Sequence, residues 1–160
     1  MSKIVFRPGA RFEQMIGTES SGQSEGIWFA LGWSRSEIEP GHSVMNWQAT
    51  TDHAFPTIDG GWIVHGGMVT ALLDTAMGQA TWSLLNLHEV FLTADLRTEF
   101  YRPALPGYLR AQGWVVHKTR KVTFAAAELF DENDKMLASC RATNITLDVR
   151  TRRESDDHAS

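Results

Sequence analysis

Apolar residues return at every second position along most of this chain, which is the period of a half-buried β-strand. Two aromatic-rich runs, Ile27 to Ser34 (IWFALGWS) and Ser43 to Thr51 (SVMNWQATT), read as the first strands. From Phe91 to Tyr101 the alternation puts Leu92, Ala94, Leu96 and Phe100 on one face, and Asp95, Arg97 and Glu99 on the other. Pro103 and Pro106-Gly107 end that strand, and three more follow over Tyr108–Val116, Val122–Phe130 and Met136–Leu147. The turns between them, Lys118-Thr119-Arg120-Lys121 and Asp131-Glu132-Asn133-Asp134, are short enough for antiparallel hairpins.

One segment breaks that period. Gly66 to about Leu85 has no proline and exceeds an ordinary strand, and Met68, Val69, Ala71, Leu72, Leu73, Ala76, Met77 and Ala80 surround nearly its whole circumference. A helix apolar on all sides belongs inside a fold. One such helix among about five to six antiparallel strands predicts an α+β architecture, a curved sheet wrapped around one long central helix.

The ends read differently. Residues 1–26 turn polar from Thr18 onward and are expected to be a flexible lead-in, 27–148 the folded domain, and 149–160 a disordered tail with no apolar anchor. At 160 residues, with 42% hydrophobic and 21% charged, the chain supports one ordinary globular domain. Its formal net charge of -4 argues against a nucleic-acid partner. Cys140 is the only cysteine, so an internal disulfide is excluded, and the six histidines show no metal-ligand spacing. With no apolar run of signal-peptide or membrane-span length, a cytoplasmic protein without a membrane partner is the expectation. Gly22-Gln23-Ser24-Glu25-Gly26 spells a G-x-S-x-G nucleophile elbow, but in a polar stretch without the strand and helix that motif needs.

The buried helix carries the candidate chemistry. Gly66 and Gly67 at its start let backbone amides approach a ligand with no side chain in the way. Those amides lack intrahelical acceptors and sit at the positive end of the helix dipole, where a carbonyl gaining negative charge is stabilised. A tight turn alone would also use two glycines. Asp74 is a carboxylate in the middle of an apolar helix, on one stripe with Gly67, Ala71 and Gly78. An unpaired buried carboxylate is costly, so it is either bonded to a neighbouring element or serves as a base or nucleophile.

The stretch His65 to Ala76 (HGGMVTALLDTA) resembles the signature of the PaaI-like branch of the hotdog-fold acyl-CoA thioesterases, where His-Gly-Gly is followed by apolar residues and an acid. The resemblance extends to Leu92–Ala104 (LTADLRTEFYRPA) and covers roughly residues 27 to 148. It implies a hotdog fold and hydrolysis of acyl-CoA to free acid and CoA, with no cofactor beyond the coenzyme A of the substrate. By the same resemblance Gly66 supplies the oxyanion amide, and Asp74 activates water or attacks directly. Thr93 offers a hydroxyl that positions water, and His65 shapes the entry turn. Two positions depart from the family pattern: Asp59 stands where Asn is frequent, and Trp62 where Gly is common.

Gly67, Asp59, Arg102, Lys118, Arg120 and Lys121 are candidate contacts for substrate or for CoA phosphates, although each cation alone also reads as a solvated turn charge. Trp62, Trp82 and Phe91 could line an aromatic acyl pocket or simply fill the core. Gly66 and Asp74 are eight residues apart, about 12 Å along a helix axis. One carbonyl cannot easily meet both, so a site shared between two chains is expected, in a homodimer or a dimer of dimers. Two other functions remain open on sequence: a hotdog hydratase or dehydratase, which would rely on a catalytic histidine, and a non-catalytic acyl-CoA binder.

Overall fold

The computed structural model describes residues 5–16 and 26–150. In chain order the elements are α1 (Ala10–Ile16), α2 (Ile27–Leu31), β1 (Trp33–Glu39), β2 (His42–Ala49), β3 (Ala54–Pro56), β4 (Trp62–Val64), α3 (Gly66–Trp82), β5 (Glu89–Phe100), β6 (Gly107–Lys118), β7 (Val122–Asp131) and β8 (Met136–Asp148). Six strands form one antiparallel sheet in the order β1-β2-β6-β7-β8-β5, and β3 pairs with β4 in a separate hairpin. Helix α3 packs on the inner face of the large sheet, against β6, β2, β7 and β8. This is the α+β hotdog architecture expected from the alternating strands and the single long apolar helix. Among the described residues no helix is long and apolar enough to cross a membrane.

Small inward residues bring the helix down onto the sheet. Ala111, Ala125 and Ala127 are buried beneath it. A Cβ on Gly113 would lie 2.4 Å from the carbonyl carbon of Ala76, so the two backbones touch there. The Ser43 hydroxyl donates to the Ala76 carbonyl at 2.7 Å and fixes the same turn. Val69, Leu72, Leu73, Ala76, Met77 and Ala80 fill the interior. The opposite stripe, with Gly67, Ala71, Asp74 and Gly78, stays at least partly open.

Three expectations need correction. The run Ile27–Ser34 is not one strand: Ile27–Leu31 is a short helix, and β1 begins at Trp33. Gly32 stops the helix in the left-handed region at φ 67°, where its N–H caps the carbonyls of Trp28 and Phe29. Trp28 and Leu31, three apart, then share the face that packs on the core.

The second correction concerns β5. A bulge between Thr93 and Asp95 leaves Ala94 without a partner on β8. The alternation therefore slips by one residue, and Leu92 and Phe100 do not share a face. Phe91, Thr93, Thr98 and Phe100 all turn to the helix, where they meet Gly78, Asp74, Thr70 and Gly66 respectively.

The third concerns the lead-in. Residues 5–16 are docked on the domain through α1, whose Met15 is buried. Gly9 and Arg11 donate backbone hydrogen bonds to Ser83 and Leu85 at 2.9 and 3.1 Å. Gly22-Gln23-Ser24-Glu25 and the tail from Thr151 to Ser160 lie outside the described residues.

Candidate active site

The hairpin β3–β4 delivers the chain to the helix start. The Val64 amide donates to Ala104 at 2.8 Å and the His65 amide to His53 at 2.9 Å, which holds the turn on both sides. His65 is the N-cap, and its Nδ1 accepts the Gly67 amide at 2.9 Å. That bond needs the imidazole neutral with its proton on Nε2. The His65 carbonyl accepts from Met68 and Val69 at 2.9 and 3.2 Å. Among the described residues nothing accepts from the Gly66 N–H. Gly66 borders a crevice of about 360 Å³ together with Phe55, Val69, Phe100 and Arg102, so the positive end of a 17-residue helix lies against space for a ligand.

Two turns on, the Asp74 carboxylate accepts from the Thr93 hydroxyl at 3.2 Å. Burial pushes its carboxyl above the ordinary carboxylate range, and the Thr93 hydrogen bond pulls it part of the way back. A raised carboxyl with one hydroxyl partner is a better proton acceptor than a surface aspartate. Beside it lies a cleft of about 340 Å³ lined by Trp28, Thr75, Gly78, Gln79, Trp82 and Phe91. Trp82 and Phe91 meet edge to face, with centroids 5.8 Å apart. Phe91 reaches so far over the helix that a Cβ on Gly78 would sit 3.2 Å from its Cζ. Gln79 Oε1 accepts from Arg35 Nη1 at 2.8 Å. The only cysteine, Cys140, is buried, and burial raises its thiol, so it is no nucleophile for this site.

The remaining sequence candidates fall in different places. Arg102 borders the Gly66 crevice, with Nη1 donating to the Met136 carbonyl at 2.7 Å. The Gly67 amide is occupied by His65. Asp59 turns back on its own loop: the Thr57 hydroxyl and the Gly61 amide bond its carboxylate and hold it below the usual range. Lys118 ends β6, Arg120 and Lys121 sit in the β6–β7 turn, and Arg120 and Lys121 border a surface hollow with Glu89 and Asp148. The Gly66 crevice touches β8 at Leu137 and Ala138, and that hollow touches it from Ile145 to Asp148. Within one chain they lie roughly 25 Å apart along the strand. Trp82 and Phe91 do wall the Asp74 cleft, whereas Trp62 stands apart on β4. Sequence reading missed Trp28, hidden in the misread aromatic run, and Gln79. The latter had a signal, as a lone amide in an apolar helix.

The Gly66 crevice and the Asp74 cleft share no lining residue. Residues 61–138 match the family pattern described as the thioesterase superfamily. A medium/long-chain acyl-CoA thioesterase of Salmonella typhimurium, YigI, is 31% identical over 104 residues, covering 55% of this chain and 67% of that one. Its counterpart in Escherichia coli matches at the same identity and coverage. Among solved structures, a thioesterase of Haemophilus influenzae superposes with a TM-score of 0.72 at 19% identity, over 79% of this chain and 85% of the other. The PaaI protein of the E. coli phenylacetic acid degradation operon superposes with a TM-score of 0.63 at 23% identity, over 74% and 86%.

Proposed function

The chain belongs to the thioesterase superfamily and is a thioester hydrolase; within that chemistry we propose that it cleaves acyl-CoA, with Gly66 and Asp74 acting on one carbonyl. The observation that carries this reading is the half-buried Asp74, bonded to Thr93 at 3.2 Å and opening on an aromatic cleft. The acyl group enters that cleft and its carbonyl oxygen takes the Gly66 amide. Asp74 accepts a proton from water as the water oxygen bonds to the carbonyl carbon. The tetrahedral intermediate expels CoA thiolate, and the proton held by Asp74 returns to the sulfur. Free acid and CoA leave. Oxyanion stabilisation by one amide contributes about 3 kcal/mol to such a barrier.

A hydratase or dehydratase would rely on a catalytic histidine, and His65 is the one at the start of α3. Its Nδ1 is already committed to Gly67, which favours hydrolysis. The proposed location is the cytoplasm, the compartment that an acyl-CoA substrate implies.

The shared site is proposed to be a homodimer built along β5. This edge strand exposes Leu92, Leu96 and Phe100 at 62, 36 and 54%. Phe100 lies beside Gly66 at one end, and Phe91 and Thr93 lie beside Asp74 toward the other. Antiparallel pairing of two β5 strands about a two-fold axis near Leu96 would bring Gly66 of one copy to Asp74 of the other. Two such dimers pairing further remains part of the proposal.

Release of free thiol from octanoyl-CoA, compared between the wild-type protein and Asp74→Asn, tests the chemistry. The reading requires thiol release that falls at least ~10²-fold in a folded Asp74→Asn. Binding of the thioester without turnover would identify an acyl-CoA binder instead.

A further inference from the structure

We propose that Arg11 is a positioning residue for the acyl cleft, holding the α3–β5 connection and the Trp82 ring from behind and so setting the width of the space beside Asp74. The inference rests on the cleft taking the acyl group, as read above.

Trp82 is the last residue of α3, and Phe91 is the third of β5, so the path of the intervening chain decides how far apart these two walls stand. That path is wound around one cation. Arg11 Nε donates to the carbonyls of Asn86 at 3.1 Å and Glu89 at 3.0 Å, and Nη2 donates to Leu87 at 2.8 Å. Three main-chain carbonyls aimed at a guanidinium are charge-assisted bonds in a fixed fork geometry. The same guanidinium lies 4.2 Å from the Trp82 ring centroid, on a ring that packs edge to face against Phe91. One side chain therefore fixes both walls.

The backbone around Arg11 is itself locked in place. Gly9 donates to Ser83, Arg11 donates to Leu85, and a Cβ at Gly9 would lie 2.3 Å from the Leu85 carbonyl oxygen. The far end of α1 reaches the cleft by a second route. The Met15 carbonyl accepts from Arg35 Nη2 at 2.6 Å, while Nη1 of the same side chain holds Gln79. Both routes start before residue 61, where the family match begins. The superfamily domain thus carries a wall adjusted by this chain's own N-terminal segment. Asp74 and Thr93 bond each other directly and stand outside both routes.

The test compares Arg11→Met and Arg11→Lys with the wild-type protein on butanoyl-CoA, octanoyl-CoA and phenylacetyl-CoA. Loosening the walls should raise KM for octanoyl-CoA about tenfold in Arg11→Met and leave kcat within about twofold, with the order of preference among the three altered. Adding Trp82→Leu to Arg11→Met should raise KM by less than the product of the two single effects, because part of the arginine's effect passes through that ring. Should Arg11→Met not fold, Arg11→Lys carries the test. One ammonium keeps the charge over Trp82 but cannot span three carbonyls, so KM rises by a smaller factor in the same direction. A folded variant with unchanged KM on all three thioesters overturns the proposal, as do KM effects of Arg11→Met and Trp82→Leu that multiply. The Kd of the non-hydrolysable thioether S-octyl-CoA should rise in parallel with KM. That readout needs no turnover, so it stays decisive even if Asp74→Asn retains activity and the catalytic assignment fails.

Discussion

The imidazole of His65 accepts the amide of Gly67 across 2.9 Å, which leaves the neighbouring Gly66 amide as the unengaged donor at the start of α3. We therefore propose that His65 shapes the oxyanion site rather than moving protons. His65→Ala should cost about 1 kcal/mol of capping, or roughly 2–4 °C in Tm for a chain of this size. Its kcat should fall by less than about tenfold, against the ~10²-fold expected for loss of a base. Thiol-release kinetics with thermal unfolding separates the two roles, and a loss above ~10²-fold would make His65 the base.

Asp74 is expected to oppose stability where it supports activity. Its carboxyl is raised in the folded chain, so the protonated form favours folding below about pH 4 and that contribution is lost as pH rises through the folded value. At about pH 7 the ionised group is a burden, and Asp74→Asn should melt higher than wild type there, with the gain shrinking toward about pH 4. As the proposed base, Asp74 must be ionised, so kcat/KM should fall on the acid side at a pH above the ordinary carboxylate range. Thr93→Val removes the hydrogen bond that favours the charged form and should move that limb to higher pH, and Thr93→Ser should restore it. An acid limb indifferent to both substitutions would detach it from Asp74.

The proposed shared site makes a prediction about mixtures. Asp74→Ala and Gly66→Pro should each be inactive alone. Proline is tolerated in a first helical turn, and a Cβ at Gly66 would come 3.2 Å from the end of the exposed Phe100 side chain. Co-refolding equal amounts should return roughly one quarter of wild-type activity, since half the dimers are mixed and each mixed dimer has one intact site. Mixed dimers seen by native mass spectrometry without activity would place Gly66 and Asp74 of one chain in one site. Leu96→Arg, at the proposed two-fold axis, should yield monomers and lose activity together.

The contact of α3 with the sheet at Gly113 has a simple thermal consequence. Gly113→Ala forces a methyl group against the Ala76 backbone, which cannot turn aside as a side chain can. Overpacking of that kind costs about 1–3 kcal/mol, so Tm should drop by roughly 2–12 °C. Circular dichroism on heating measures it, and an unchanged Tm would mean that the helix rides higher than the 2.4 Å spacing implies.

Much of this was legible in the chain. Helix α3 announced itself by length and apolar continuity, and the Gly67, Ala71, Asp74, Gly78 stripe marked the side that stays open. What escaped reading had physical reasons. The run IWFAL satisfies both strand and helix periods, and the left-handed turn at Gly32 decides between them only once Trp28 and Leu31 have a core to pack on. Arg11 left no trace, because its partners are main-chain carbonyls 75 to 78 positions away, and a carbonyl has no residue type. The chemistry of Asp59 was hidden for the opposite reason: its partners, Thr57 and Gly61, are so near that the carboxylate is spent on its own loop.

The unpaired Ala94 makes the site depend on parity. Upstream of it the odd positions of β5, Phe91 and Thr93, look at the helix; downstream the even ones, Thr98 and Phe100, do so. Both the hydroxyl beside Asp74 and the phenyl ring beside Gly66 can face inward only because one residue between them goes uncounted. A strand that paired Ala94 with β8 as a regular residue would keep every functional side chain in the sequence, yet one end of it would have to turn outward. Either Leu92 would replace Thr93 beside the carboxylate, or Phe100 would leave Gly66. Deleting Ala94 would instead erase the bulge, because Thr93 and Asp95 already face the successive residues Asn144 and Thr143, and both the hydroxyl and the phenyl ring would go on facing the helix.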